Sequence, residues 1–217
     1  MHKSSIGIAK EGAPCLILLA LATLASAMLG YGILTVFLFL VFSFCMHFFR
    51  DPERIIPQED GIAVSPADGR VVSIRTAPDP LSDEPRQCVG IFMHCGNVHV
   101  NRLPIAGEIK EISYYPGKFI NAAWDKASTD NERCAYLVKD GAGNEWTVVQ
   151  IAGLIARRIV SYVEKGDRLK AGQRFGMIKF GSRVDVYFPA EFEPVVGVGD
   201  RVWAGETIIG RNREKSA

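Results

Sequence analysis

Residues 12–49 contain no Asp, Glu, Lys or Arg. The run is too long for the apolar core of a signal peptide and shows no obvious cleavage site. As one straight helix it would extend on the order of 50 Å at about 1.5 Å per residue, against a hydrocarbon core of about 30 Å. Gly30-Tyr31-Gly32 interrupts it, and glycine weakens a helix interior. The expected arrangement is a hairpin of two short helices, roughly 14–29 and 33–49, with one tilted span as the alternative. Lys3 and Lys10 precede the run, and Arg50 and Arg54 follow it. A hairpin puts both basic flanks on one side, and the excess of Lys and Arg on cytoplasmic loops makes that side cytoplasmic. Residues 1–49 are therefore read as a membrane anchor, with His47 at the interface.

The remainder, residues 50–217, has the mixed composition of one soluble domain with a core of its own. A formal net charge of +1 leaves no electrostatic footprint for nucleic acid. Cys15 and Cys45 lie in the apolar run. Cys88, Cys95 and Cys134 are widely spaced and odd in number, which argues against a disulfide framework or a cysteine zinc site. Cys95, beside two histidines, is expected to pack.

Past residue 62 the pattern is β. Short runs rich in Val and Ile, such as 70–74, 146–151 and 184–188, are bounded by Gly, Pro and Asp. One short helical turn is expected within 118–127. Segments 163–172 and 196–205 both read V-x-x-G-D-x-φ-x-A-G, and 66–71 repeats at 104–109. A Gly-Asp turn reverses the chain tightly, because Gly accepts positive φ and Asp can bond its own backbone. These repeats resemble the barrel-sandwich hybrids of lipoyl and biotinyl domains, so a mainly β domain of that kind is expected behind the helical hairpin.

Four pieces stand apart from this scaffold. They are Phe48-Phe49-Arg50-Asp51-Pro52-Glu53-Arg54, Ser65-Pro66-Ala67-Asp68-Gly69, the run from Met93 to Pro104 with His94 and His99, and the run from Phe175 to Asp185 with Gly181-Ser182. Singly each has a bland reading: a turn, a strand histidine, a β-bulge. Together and in this order they resemble the phosphatidylserine decarboxylases, over about residues 48–210. Phe180-Gly181-Ser182-Arg183 stands where long members carry Leu-Gly-Ser-Thr, as in the short bacterial form.

The resemblance implies self-cleavage between Gly181 and Ser182. The Ser182 hydroxyl attacks the Gly181 carbonyl, and Ser182 becomes a covalent pyruvoyl cofactor. The products are chains 1–181 and 182–217, held together as a heterodimer. A serine hydroxyl needs a base and an oriented partner. His99 is taken as the base, from its spacing to Pro104, and Asp68 as the partner. His94 and His99, read as one strand, point to opposite faces. Long members have a second histidine where this chain has Arg102, so the family's division of labour does not transfer intact. The substrate implied is phosphatidylserine in the membrane, decarboxylated through a Schiff base to phosphatidylethanolamine, with no metal. Arg157, Arg158, Lys165, Arg168 and Lys170 are candidates to face anionic headgroups. The rival readings are a phosphotransfer module with His94 as phosphoacceptor, a zinc endopeptidase and a non-enzymatic, membrane-tethered adaptor.

Overall fold

A computed structural model describes residues 7–124, 126–154, 158–179 and 181–215. The chain divides into two compact units, Met1–Glu53 and Arg54–Ala217. The division falls past the compositional edge at 49. The reason is local: Ile8 bridges Arg50, the Ala9 N–H donates to Phe49 O, and the Asp51 N–H donates to Gly7 O. These bonds tie residues 50–51 to the first unit.

That unit is a helix pair, α1 (Ala13–Met28) and α2 (Gly32–Phe48). Pro14 opens α1, where a missing N–H costs nothing. Gly30 at φ +76° makes the turn, and the Tyr31 N–H closes it on Ser26 O. Across the hairpin the Ser26 and Thr35 hydroxyls meet at 2.9 Å. The faces left outside are apolar, with Ile33 92% and Met28 80% exposed. The segment Lys10–Met28 is long and apolar enough to cross a membrane by length and composition, while Gly32–Phe48 is apolar but shorter.

The second unit is built from short antiparallel strands. In chain order they are β1 (Ile62–Val64), β2 (Gly69–Pro78), β3 (Pro85–Met93), β4 (Val100–Arg102), β5 (Gly107–Tyr115), β6 (Arg133–Asp140) and β7 (Glu145–Ala152). There follow β8 (Ile159–Ser161), β9 (Arg168–Leu169), β10 (Arg174–Ile178), β11 (Ser182–Phe188), β12 (Phe192–Pro194), β13 (Arg201–Val202) and β14 (Ile208–Asn212). An eight-stranded sheet runs β13-β2-β3-β11-β7-β6-β5-β9, and two three-stranded sheets run β1-β14-β12 and β4-β10-β8. The fold is mainly β, and no sheet closes into a barrel.

The sequence repeats appear as structural duplication. Segment 66–71 leads into β2 and 104–109 into β5, while the two Gly-Asp turns precede β13 and β9. These short strands edge the large sheet at opposite ends, β13 on β2 and β9 on β5. In both turns the aspartate accepts from a backbone N–H three residues back, Asp167 from Glu164 and Asp200 from Gly197. Gly166 and Gly199 hold φ of +96° and +100°, the left-handed region that glycine enters without strain. The expected helical turn lies later than 118–127: α3 is Ala127–Asp130, and Lys118 instead forms a bridge with Asn131. The main core gathers Val71, Ile91, Trp146, Val148, Phe175 and Val186 between the large sheet and the smaller ones.

Candidate active site

Strand β11 lies in the middle of the eight-stranded sheet, paired with β3 on one side and β7 on the other. Ser182 is its first residue, opposite Met93 and Ala152. Strand alternation turns Ser182, Val184, Val186 and Phe188 toward the main core, and Arg183, Asp185 and Tyr187 to the other face. Ser182 is fully buried. Its hydroxyl rests 3.8 Å from Met93 Sδ, a weak acceptor. Gly181 precedes it at φ +62°, with open space where a Cβ would stand. Glycine is thus required here by backbone conformation as well as by access to its carbonyl.

His99 is buried and faces this peptide: the Gly181 N–H points at His99 Nε2 at 3.3 Å. Its Nδ1 lies 2.9 Å from Asn97 O. A carbonyl oxygen only accepts, so Nδ1 carries the proton, and in the neutral ring Nε2 is the basic atom. His94 and His99 diverge, as expected, but not through strand alternation. Residues 94–97 form a turn, in which the His94 N–H donates to Asn97 Oδ1 and the Asn97 N–H returns to His94 O. His94 is exposed, and so is Cys95, which does not pack.

Asp68 lies in the turn between β1 and β2 and is not hydrogen-bonded to His99. Its carboxylate takes Arg54 Nη2 at 2.8 and 3.0 Å and the Ala204 N–H at 2.8 Å. Arg54 reaches on to Glu206 at 2.8 Å. The link to His99 is indirect: Pro66 O, in the same turn as Asp68, accepts the Arg102 N–H in the strand that follows His99.

Register across the sheets builds a buried polar chain that no local motif signals. The Tyr136 hydroxyl donates to Gln150 Oε1 at 2.8 Å, Gln150 Nε2 to Asn101 Oδ1 at 2.7 Å, and Asn101 Nδ2 to Met93 Sδ at 3.6 Å. The chain ends on the sulfur that the Ser182 hydroxyl touches. Burial, with Cys134 adding to it, pushes the Tyr136 phenol well above its ordinary value, so it remains a donor. On the far face Arg183 pairs with Asp185 and donates to Ser73 Oγ, and Ser128 donates to Asp185. This buried pair fixes the strand immediately after Ser182. Gly153 completes the surroundings: a Cβ there would fall 1.9 Å from the Gly181 carbonyl oxygen.

A profile of the phosphatidylserine decarboxylase family matches residues 41–210. The chain belongs to that family. A phosphatidylserine decarboxylase proenzyme of Nitratidesulfovibrio vulgaris is 56% identical over the whole of both chains. One from Oleidesulfovibrio alaskensis is 54% identical, again over both full lengths. One from Polynucleobacter asymbioticus is 50% identical over 94% of each. The resemblance in motifs is thereby borne out, and the phosphotransfer, endopeptidase and adaptor readings are set aside.

Against the pattern of long family members, Arg102 fills the position of their second histidine. It is buried and donates to Gly172 O at 2.9 Å. Its charge also helps hold Glu206 ionised, so it belongs with Arg54, Asp68 and Glu206 in one cluster of two cations and two anions. Of the proposed headgroup cations, Arg158, Lys165, Arg168 and Lys170 are exposed, and Arg168 also pairs with Glu108. Arg157 lies outside the described residues.

Proposed function

We propose that the chain cuts itself between Gly181 and Ser182, converts Ser182 to a pyruvoyl group, and decarboxylates phosphatidylserine to phosphatidylethanolamine. The observation that carries this reading is the Gly181–Ser182 peptide. It stands at the head of a central strand, in a left-handed glycine conformation, with a basic histidine nitrogen beside it. The residues fit the group: Ser182 sits in a buried recess between Met93 and Ala152, and Gly153 leaves room for the adjoining carbonyl.

In the first step the Ser182 oxygen attacks the Gly181 carbonyl carbon and its proton passes to His99 Nε2. The peptide C–N bond breaks as the ester C–O bond forms. Loss of the Ser182 α-proton then expels the Gly181 carboxylate and leaves a dehydroalanine, which water hydrolyses to the pyruvoyl ketone and ammonia. The pyruvoyl group supplies an electron sink for the departing carboxylate's electron pair. His99, neutral and buried, is placed to hold or return a proton there. Asp68 is assigned a positioning role, acting through the Pro66 turn on the strand that follows His99.

Chains 1–181 and 182–217 stay together in this scheme, because β11 is hydrogen-bonded along both edges. The apolar helix pair keeps the domain at the bilayer where the lipid resides, and the basic flanks put it on the cytoplasmic face. Ser182→Ala is expected to give one uncut chain that releases no carbon dioxide from phosphatidylserine vesicles. Turnover by that variant would sink the mechanism.

A further inference from the structure

One cross-strand row of the large sheet is unusually cationic. Its pairings run Arg201 to Arg70, Arg70 to Phe92, and Phe92 to Arg183, with Arg183 next to Ser182 in the chain. Arg183 is neutralised by Asp185. Arg70 and Arg201 differ: both are exposed, and neither has a hydrogen bond or ion pair among the described residues. Like charges directly opposite each other on neighbouring strands repel, so their conjunction favours a bound anion.

The two arginines open on a cavity of about 430 Å³ that is also lined by Phe92, His94, Asn97 and Trp203. No acidic side chain among the described residues lines it. Its neutral polar groups have donors to offer. His94 Nδ1 accepts the Gly96 N–H, which leaves Nε2 as the protonated nitrogen. Asn97 Oδ1 accepts the His94 N–H, which leaves its amide hydrogens. Trp203 has only an indole N–H to give. Two guanidinium groups, an imidazole N–H, a carboxamide and an indole around an acid-free cavity match the oxygens of a phosphate.

The cavity's position is as telling as its chemistry. His94 comes immediately after Met93, the cross-strand partner of Ser182. Two strand spacings of about 4.8 Å put the Arg70 backbone roughly 10 Å from Ser182. An arginine side chain and a phosphate-linked serine together span that gap.

We propose that Arg70 and Arg201, with His94, Asn97 and Trp203, bind the phosphodiester of the lipid headgroup while its amino acid lies at position 182. This assignment rests on the decarboxylase reading above, and it names the substrate-binding residues of that site. Binding can be separated from chemistry in the Ser182→Ala chain, titrated calorimetrically with inorganic phosphate and with glycerophosphoserine. Both should bind, and Arg70→Gln or Arg201→Gln should each weaken both about tenfold, the loss of one charge-assisted bond.

In the Ser182 protein, the same substitutions should leave cutting at 181–182 complete. They should raise KM for phosphatidylserine in phosphatidylcholine vesicles about tenfold and change kcat less than about threefold. Weakened phosphate binding with an unchanged KM would mean a site for free phosphate and would overturn the headgroup assignment. Unchanged titrations would overturn the anion site itself. If the unsubstituted protein cut itself but left phosphatidylserine intact, the decarboxylase reading would fail, while the phosphate titration would still decide whether the cavity binds an anion.

Discussion

Gly153→Ala should slow self-cleavage by about a hundredfold without unfolding the domain. The added Cβ would stand 1.9 Å from the Gly181 carbonyl oxygen and 3.3 Å from Ala122 Cβ. To restore ordinary contact the carbonyl must retreat by roughly 1.5 Å. A misplacement of about 1 Å is enough to cost about a hundredfold in a reaction that depends on alignment. Overpacking of this kind costs about 1–3 kcal/mol of stability, which a domain can survive. The assay is the fraction of uncut chain against time after synthesis, with a thermal melt to show that the variant is folded. Gly141→Ala is the matched control, since a Cβ there meets nothing within 4 Å. Cutting of a folded Gly153→Ala protein at the rate of the parent would refute the idea that this glycine makes room for the scissile carbonyl.

His99→Ala should accumulate uncut chain on a denaturing gel; normal cutting with lost turnover would confine His99 to decarboxylation. Asp68→Ala should cost about 3 kcal/mol in denaturant unfolding, because it leaves the buried Arg54 short of a partner; a loss under about 1 kcal/mol would show the pair to be dispensable. For Glu206, burial works against the charge, but the Arg54 and Ile55 bonds and the Arg54 and Arg102 charges prevail and hold the carboxyl below its ordinary value of 4.5. A depressed folded value means that the stabilisation is present above the unfolded value and is lost as pH falls through the folded one. Thermal midpoints measured downward from pH 4.5 should therefore fall less steeply for Glu206→Gln than for the parent; parallel curves would remove the linkage.

What could be read in the sequence was whatever had a local cause. The uncharged run and its Gly-Tyr-Gly break give the helix pair, because hydropathy and glycine act over a few residues. The doubled Gly-Asp turns give the duplicated β fold, since Asp167 and Asp200 each bond a backbone N–H of their own turn. The cleavage motif and His99 were legible only through resemblance to a family. Gln150, Asn101 and Met93 were not legible at all as one chain of contacts. They meet because three strands far apart in sequence are held in register, and no spacing encodes that. The same cause hid the Arg201–Arg70–Phe92–Arg183 row. Asp68 was assigned to His99 by analogy with catalytic triads, but Arg54, on the chain that enters the domain, takes its carboxylate instead.

Self-processing is the claim on which the rest depends, and intact-mass spectrometry of the purified protein tests it most directly. The account predicts two chains, the smaller beginning at position 182 with a blocked amino terminus carrying the pyruvoyl mass. A single full-length chain from material that decarboxylates phosphatidylserine would contradict it.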